Sequence, residues 1–156
     1  HFIIDKKNMS SINEKIIIYT DGGSRGNPGP AAFGVVFSDS HGKPLKSYGK
    51  ALGVRTNNEA EYEGVVFALQ KAKAMFGGEK IKKLDFEIRS DSELIISQLR
   101  GAYKIENEKL ASLFLKIWNL KIDFGSVKFT HVPREQNREA DRMVNEALDK
   151  EQGGLF

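Results

Sequence analysis

The segment "KIIIYTD", residues 15–21, limits the possible folds more than any other part of the chain. Its apolar residues, Ile16 to Tyr19, are continuous rather than alternating, which predicts a β-strand that is buried on both faces. Such a strand lies in the interior of a sheet that other elements cover from above and below. We therefore expect an α/β protein in which helices pack on both faces of the sheet.

The segments that follow change between strand and helix patterns. Two further strands, "AAFGVVFSD" and "LKSYGKALG", flank the turn-like "SHGKP" and predict an antiparallel meander. The pattern is then helical from Asn57 to Phe76, and Gly77 and Gly78 end it. The remaining segments are a strand, a short helix, a longer helix, a strand and a closing helix: "KKLDFEIRSD", "SELIISQLRG", "NEKLASLFLKIWNL", "SVKFTHV" and "REQNREADRMVNEALDK".

This order predicts a five-stranded mixed sheet, with three antiparallel strands and then two parallel ones. Crossovers through a helix join neighbouring parallel strands and are nearly always right-handed. We place one domain at residues 15–150, a size that can bury a core without cross-links. Residues 1–14 are then an N-terminal extension or a remnant of expression sequence, and residues 151–156 are a C-terminal tail. Trp118, in the longer helix, is assigned to the core.

The chain contains no cysteine, which excludes disulfides, thiolate metal sites and a cysteine nucleophile. This composition fits a reducing cytoplasm, where we expect the protein to act as a monomer. No apolar run is long enough to span a membrane, so no membrane partner is expected. The net charge of +3 and the pI near 9.0 are compatible with a polyanionic partner without requiring one.

Helical geometry separates the glutamates of the helix that begins at Asn57. Glu61 lies on the apolar stripe one turn ahead of Val65, so it is predicted to point toward the sheet. Glu59 and Glu63 lie about 160° away from it and are predicted to face solvent. Thr56 and Glu59 also have the spacing of a capping box at the helix start.

Three more acids are expected to join Glu61. Asp141 shares the inward stripe of the closing helix with Asn137. Asp21 and Asp91 end two strands that we expect to be parallel neighbours, and the carboxyl ends of such strands share one edge of a sheet, where ligands usually bind. The four acids should therefore converge at that edge.

Four like charges share a small volume only when protons or cations neutralise them. Oxygen-only ligation indicates a hard cation, Mg²⁺ or Mn²⁺, and a carboxylate cluster of this kind suits two ions that flank an in-line displacement at phosphorus. Each acid by itself also fits a structural role: Asp21 in a turn, Glu61 near the helix dipole, Asp91 as an N-cap, and Asp141 beside an arginine of its own helix. The convergence of all four favours the metal site.

Four segments in this order and spacing resemble the signature segments of type I ribonuclease H: "TDGGSRGNPGP", "TNNEAEY", "RSDSELI" and "HVPREQNREADRMVNEAL". The chain is most similar to the compact archaeal and bacterial subgroup without a basic handle. The resemblance implies hydrolysis of the RNA strand of RNA/DNA hybrids, leaving 3′-hydroxyl and 5′-phosphate ends. It further implies two Mg²⁺ ions, or Mn²⁺ as a substitute, held by Asp21, Glu61, Asp91 and Asp141.

The resemblance also implies roles for residues outside the acids. His131 matches the family's mobile histidine, which helps proton transfer or product release, although an ordinary surface histidine would look the same. Minor-groove contacts map onto Gly23, Asn27, Asn57 and Asn58, and Thr56 matches a residue that holds a phosphate of the DNA strand. Amide groups can both donate to and accept from 2′-hydroxyls, although helix capping is an alternative for Asn57 or Asn58.

Two departures from the family pattern leave the substrate range open. Glu93 stands where a glutamine often contacts a base edge, and the short, charge-balanced "GAYKIENEK" replaces the basic handle. The arginines at 134, 138 and 142 form a stripe that could partly compensate, with a solvated helix face as the alternative. Cleavage of double-stranded RNA and, in a different class, a catalytically silent hybrid-binding module are the competing functions.

The C-terminal "EQGGLF" is not required by the predicted fold. Gln152, Leu155 and Phe156 fit a Q-x-x-L-F pattern that resembles the peptide with which bacterial replication proteins dock onto the sliding clamp. A nuclease tethered in this way would gain from a raised local concentration. A packed or frayed tail is the alternative.

Overall fold

The structure, a computed structural model, describes residues 14–153 of the chain. Five strands and five helices follow one another in the order β1 (Lys15–Ser24), β2 (Gly29–Asp39), β3 (Pro44–Arg55), α1 (Asn57–Phe76), α2 (Gly78–Ile81), β4 (Asp85–Ser90), α3 (Glu93–Leu99), α4 (Glu108–Lys121), β5 (Ser126–His131) and α5 (Arg138–Gly153). A 3-10 turn at Arg134–Gln136 precedes α5. Most of the predicted N-terminal extension, and Leu155 and Phe156 of the clamp-like pattern, lie outside the described residues.

The five strands form one sheet in the order β3-β2-β1-β4-β5. β1 is antiparallel to β2, and β2 is antiparallel to β3. β1 and β5 are both parallel to β4. This confirms the predicted mixed sheet, and it places β1 at the centre, as its continuous apolar run requires.

Alternate residues of β2 face different helices. Phe33, Val35 and Phe37 belong to the main core, which α1 covers together with α3 and α4. On the other face Ala32 packs against Val144 and Leu148 of α5. Helices therefore cover both faces of the sheet, as predicted.

β1 is longer than predicted. It does not end at Asp21 but continues to Ser24, because its last residues pair only with β2, where Ser24 lies opposite Ala31. Its pairing with β4 stops earlier, at Tyr19 and Arg89. Asp21 consequently lies just beyond the point where β1 and β4 separate.

The closing helix differs from its predicted bounds at both ends. It begins at Arg138 rather than at residue 134, because the preceding residues form the 3-10 turn after Pro133. It runs to Gly153, so residues 151–153 of the predicted tail are helical. Within residues 14–153, no helix is both long enough and apolar enough to cross a membrane.

The placement of Trp118 in the core was wrong. Its side chain is 48% exposed, although it stacks on Phe114 with 5.7 Å between ring centroids. The Nζ of Lys121 lies 4.6 Å from the Trp118 ring centroid. α4 turns Ile117 inward instead, and the next residue along a helix is rotated by about 100° from it.

Candidate active site

Three carboxylates lie close together at the edge of the sheet where β1 and β4 stop pairing. Asp21, Glu61 and Asp91 each place one oxygen within 4.8 Å of the others. Asp21 comes from β1, Glu61 from the N-terminal part of α1, and Asp91 from the residue after β4. They line an open cavity of about 530 Å³.

Gly22 allows α1 to approach β1 closely. A Cβ at this position would lie 2.4 Å from the Ala60 carbonyl carbon and 2.4 Å from the Glu61 nitrogen. Only a glycine leaves room for this backbone contact, which brings the Glu61 carboxylate next to Asp21. The predicted site lacks this residue, because "DGG" also fits ordinary turn chemistry.

Asp141 reaches the same cavity from α5 but lies outside the three-carboxylate group. The start of its helix is fixed by the buried Asn137, whose Nδ2 donates to the Thr20 carbonyl at 2.9 Å. The Asp141 backbone N–H donates to the Asn137 carbonyl at 3.1 Å. Asn137 therefore ties Asp141 to the residue that precedes Asp21.

Burial and crowding change the protonation of these acids. Burial raises the pKa of Asp21 to about 8, with further contributions from the charges of Asp91 and Asp141. Burial, followed by the charges of Asp21 and Asp91, also raises the pKa of Glu61 well above its ordinary value. None of the ion pairs within residues 14–153 involves Asp21, Glu61 or Asp91. The cluster therefore lacks a compensating ion pair from the described chain.

Three of the structural roles considered for these acids do not fit. Asp21 lies inside β1 rather than in a turn. Ser92, not Asp91, caps α3 by accepting a hydrogen bond from the Ile95 N–H at 3.3 Å. Arg142 pairs with two glutamates of its own helix instead of with Asp141.

The predicted solvent exposure of Glu59 was wrong, whereas its capping box is confirmed. Glu59 is only 9% exposed, because its Oε1 accepts from the Thr56 N–H at 2.8 Å while Thr56 Oγ1 accepts from the Glu59 N–H at 3.1 Å. Lys109 of α4 lies 3.6 Å away from the same carboxylate. Glu63 is half-buried and pairs with Arg55 at 2.7 Å. Neither Glu59 nor Glu63 is among the residues that line the cavity of the three carboxylates.

Two predicted substrate contacts, Asn27 and Asn57, join the β1–β2 turn to α1. Asn57 Oδ1 accepts from the Ser24 N–H at 2.9 Å and from the Ser24 hydroxyl at 3.0 Å. The Asn57 N–H donates to Asn27 Oδ1 at 2.9 Å. These bonds use the side-chain oxygens, and the Nδ2 groups of both asparagines make no hydrogen bond among the described residues.

The other predicted contacts lie around the same helix start. Gly23 lines the cavity. Thr56 is the N-cap of α1, so capping does not account for Asn57 or for Asn58, which lies half-buried in the first turn. His131 is exposed at the end of β5, beside Ser90 in the sheet register, and does not line the cavity. Glu93 is exposed in the first turn of α3.

Two arginines, Arg25 and Arg134, also line the cavity. Arg134 lies in the 3-10 turn, which breaks the predicted stripe that it would form with the arginines at 138 and 142. Arg25 has no role in the predicted site. Its only sequence signal is a basic residue within a glycine-rich turn, and that pattern is common in turns without a function.

The fold and the site together define an α/β domain of the family described as "Reverse transcriptase-like", whose model matches residues 19–147. Among similar proteins, "Ribonuclease HI" of Halobacterium salinarum is 41% identical over 86% of this chain and 65% of its own length. A chain of LC11-RNase H1, solved in complex with RNA/DNA hybrid, is 46% identical, covers 88% of this chain and 99% of its own, and has a TM-score of 0.84.

The chain belongs to the type I ribonuclease H family. A bifunctional protein of Mycobacterium tuberculosis is 37% identical over 86% of this chain, which corresponds to 36% of that protein. The chain thus spans about a third of the mycobacterial relatives that it matches and about two thirds of the Halobacterium protein.

Proposed function

We propose that this chain hydrolyses the RNA strand of RNA/DNA hybrids and leaves 3′-hydroxyl and 5′-phosphate ends. The observation that carries the proposal is the group of three carboxylates within 4.8 Å in an open cavity, with no ion pair from the described chain. The similarity to LC11-RNase H1, which was solved with such a hybrid, supports the choice of substrate. Hydrolysis is favoured over silent binding because all four predicted acids are present and lie at one cavity.

The donor set fits divalent metal ions. Carboxylate oxygens from Asp21, Glu61 and Asp91 are close enough to share a cation, and hard oxygen ligands without cysteine favour Mg²⁺, with Mn²⁺ as a substitute. We assign two ions to these residues together with Asp141. Bound ions would activate the attacking water and stabilise the leaving oxygen.

Contacts within the chain position the elements that carry the four acids. Gly22 fixes the distance between Asp21 and Glu61, and Asn137 fixes the start of the helix that carries Asp141. Because these contacts involve backbone atoms, they fix the backbone positions from which the carboxylates would reach a cation. His131, exposed beside the strand that leads to Asp91, has access to solvent for proton transfer or product release.

Selection for RNA is assigned to the wall formed by the β1–β2 turn and the start of α1. The Nδ2 groups of Asn27 and Asn57 can donate to 2′-hydroxyls and base edges, while their oxygens hold the turn in place. Thr56 Oγ1 accepts a hydrogen bond within the capping box, so its O–H remains able to donate to a phosphate of the DNA strand. Gly23 and Asn58 complete the proposed contact surface.

Cleavage of labelled RNA/DNA, RNA/RNA and DNA/DNA duplexes with Mg²⁺, Mn²⁺ or EDTA tests the proposal. We expect cutting of the RNA strand of the hybrid with either metal ion and none with EDTA. End labelling should show 3′-hydroxyl and 5′-phosphate products. Cutting in EDTA, or equal cutting of DNA/DNA, would contradict the proposal, whereas cutting of RNA/RNA would extend the substrate range.

A further inference from the structure

The cavity that holds the acids also extends to a basic side chain in the β1–β2 turn. Arg25, in the turn between β1 and β2, lines the same cavity as Asp21 and Asp141. The wall between the acids and Arg25 consists of the backbone from Gly22 to Ser24 and of Asn145 and Leu148 from α5, which the cavity lining also includes. Arg25 follows Asp21 by four positions of extended chain, a distance of about 13 Å.

The guanidinium of Arg25 is held by the last turns of α5. Nη1 donates to Gln152 Oε1 at 2.6 Å, and Nη2 donates to Asp149 Oδ1 at 2.7 Å. The backbone of Arg25 is fixed as well, because its N–H donates to the Pro30 carbonyl at 2.8 Å. A Cβ at Gly29 would lie 2.3 Å from the Arg25 oxygen, so this turn closes tightly on itself.

The arrangement contributes little to stability. The side chains of Arg25 and Asp149 are 35% and 68% exposed, and an ion pair at such a surface contributes on the order of 0.2–1 kcal/mol. The two bonds use one donor on each terminal nitrogen and leave other guanidinium N–H groups for a ligand. A guanidinium with a fixed orientation matches the geometry of a phosphate.

We propose that Arg25 binds a backbone phosphate of the nucleic-acid substrate, and that Asp149 and Gln152 are positioning residues that orient its guanidinium. Each strand carries one phosphate per about 3.4 Å of duplex axis, so the contacted phosphate lies within about four nucleotides of the scissile bond. This subsite rests on the proposed function, because it needs a substrate strand that runs from the acids to the turn.

Binding of a fluorescent RNA/DNA duplex in EDTA, measured over a series of salt concentrations, tests the contact. Arg25→Ala should weaken binding about tenfold at low salt and lower the slope of log affinity against log salt by about one. Arg25→Lys should keep the slope, since it keeps the charge, but recover only part of the affinity, since it lacks the planar fork. Lys73→Ala is the control, because it removes one positive charge from an ion pair of similar length, 2.8 Å to Asp123, at the far end of α1.

The positioning residues have their own readout. Asp149→Ala and Gln152→Ala should raise KM for the hybrid several-fold and leave kcat and the salt slope unchanged, whereas Asp123→Ala should change neither KM nor kcat. Tighter binding by Asp149→Ala would show that Asp149 competes with the phosphate and would overturn its positioning role.

The outcomes separate this subsite from the proposed function. A wild-type chain that cuts the hybrid, together with an unchanged salt slope in Arg25→Ala, overturns the phosphate contact alone. A wild-type chain that neither binds nor cuts the hybrid overturns the proposed function and this subsite with it.

Discussion

Two buried carboxylates on neighbouring strands, Glu87 and Asp21, have opposite surroundings. Glu87 of β4 is only 5% exposed and forms ion pairs with Lys15 and with Arg89, whose Nε lies 2.9 Å from its Oε2. Asp21 of β1 is 9% exposed and has Glu61 and Asp91 as neighbours instead. The chain therefore neutralises one buried acid and leaves the other beside like charges.

The pKa values show the consequence of that difference. Burial acts to raise the pKa of Glu87, yet hydrogen bonds from Arg89 and Lys15 outweigh it and hold the pKa at about 2. Burial and the neighbouring acids raise the pKa of Asp21 to about 8. Similar burial on one sheet thus gives one firmly ionised carboxylate and one that is held protonated near neutral pH in the metal-free chain.

The contrast between Glu87 and Asp21 separates buried acids that stabilise the fold from buried acids that bind a ligand. Where a buried charge serves only the fold, the chain supplies the opposite charges itself, as it does for Glu87. An unpaired group of acids reduces the stability of the metal-free protein, and such groups are concentrated at functional sites. We propose that cations from outside the chain complete the Asp21 cluster.

Substitution of Asp21 or Asp91 by asparagine should have the largest effect on activity. We expect hybrid cleavage to fall at least about 100-fold, because bound metal ions contribute several kcal/mol of transition-state stabilisation and each 1.36 kcal/mol is a factor of ten. The metal-free variants should be as stable as the wild type or more stable, because asparagine removes an acid whose burial among other acids opposes folding. Cleavage assays with Mg²⁺ and thermal unfolding in EDTA measure the two quantities. Substantial Mg²⁺-dependent cleavage by Asp21→Asn would contradict the role of Asp21 as a metal ligand.

Glu61→Gln should reduce cleavage to a similar extent, and Glu63→Gln is its matched control. Both residues lie in α1, but Glu63 pairs with Arg55 outside the cavity. Loss of that partly exposed pair should cost about 1 kcal/mol or less of stability, with cleavage unchanged. Equal losses of cleavage in the two variants would contradict the assignment of Glu61, and not Glu63, to the active site.

Glu87→Gln should give the opposite pattern to Asp21→Asn. Removing the paired carboxylate should lower the free energy of unfolding by about 1.5–3 kcal/mol, the usual contribution of hydrogen bonds to charged groups, while cleavage per folded molecule stays near that of the wild type. Denaturant unfolding and cleavage assays on the same preparation test this. A Glu87→Gln variant that keeps its stability would contradict the claim that the ion pairs of Glu87 stabilise the fold.

The two groups should also respond to pH in opposite directions. The folded-state pKa of Glu87 lies below its ordinary value, so its contribution to stability is present above about pH 4.5 and is lost as pH falls toward 2. The folded-state pKa of Asp21 lies above its ordinary value, so its contribution is present at low pH and is lost as pH rises from 3.8 through about 8. Unfolding temperatures in EDTA should therefore fall between pH 5 and pH 8, and Asp21→Asn should reduce that fall. An unchanged fall in the variant would assign it to other groups.

Glu59→Gln should have the smallest effect. Glutamine can also close a capping box, so we expect a loss of about 0.5–1 kcal/mol in stability and nearly full cleavage. Thermal unfolding and cleavage assays check both. A loss of cleavage as large as that of Glu61→Gln would place Glu59 in the site, in conflict with its contacts to Thr56 and Lys109.

The sequence predicts those features that depend on periodicity along one element. The continuous apolar run of β1 predicts its central place, and the helical phase of α1 predicts that Glu61 points toward the sheet. The order of strands and helices predicts the mixed sheet, because crossover connections allow few alternatives.

Features that depend on contacts between elements could not be predicted in this way. The spacing of Thr56 and Glu59 predicts the capping contact between them, but not that α4 places Lys109 beside the Glu59 carboxylate. Gly22 matters only because Ala60 lies against it, and Arg25 only because α5 ends beside the β1–β2 turn. In each case the partner is more than 30 residues away in the chain or depends on where a helix ends.

The change in unfolding temperature on adding Mg²⁺ at pH 8 tests the central conclusion most directly. A ligand that binds only the folded state stabilises it, so the wild type should unfold at a higher temperature with Mg²⁺ than with EDTA. Glu87→Gln, although less stable, should show the same rise, and Asp21→Asn should show little or none. An equal rise in Asp21→Asn, or no rise in the wild type, would contradict completion of the Asp21 cluster by external cations.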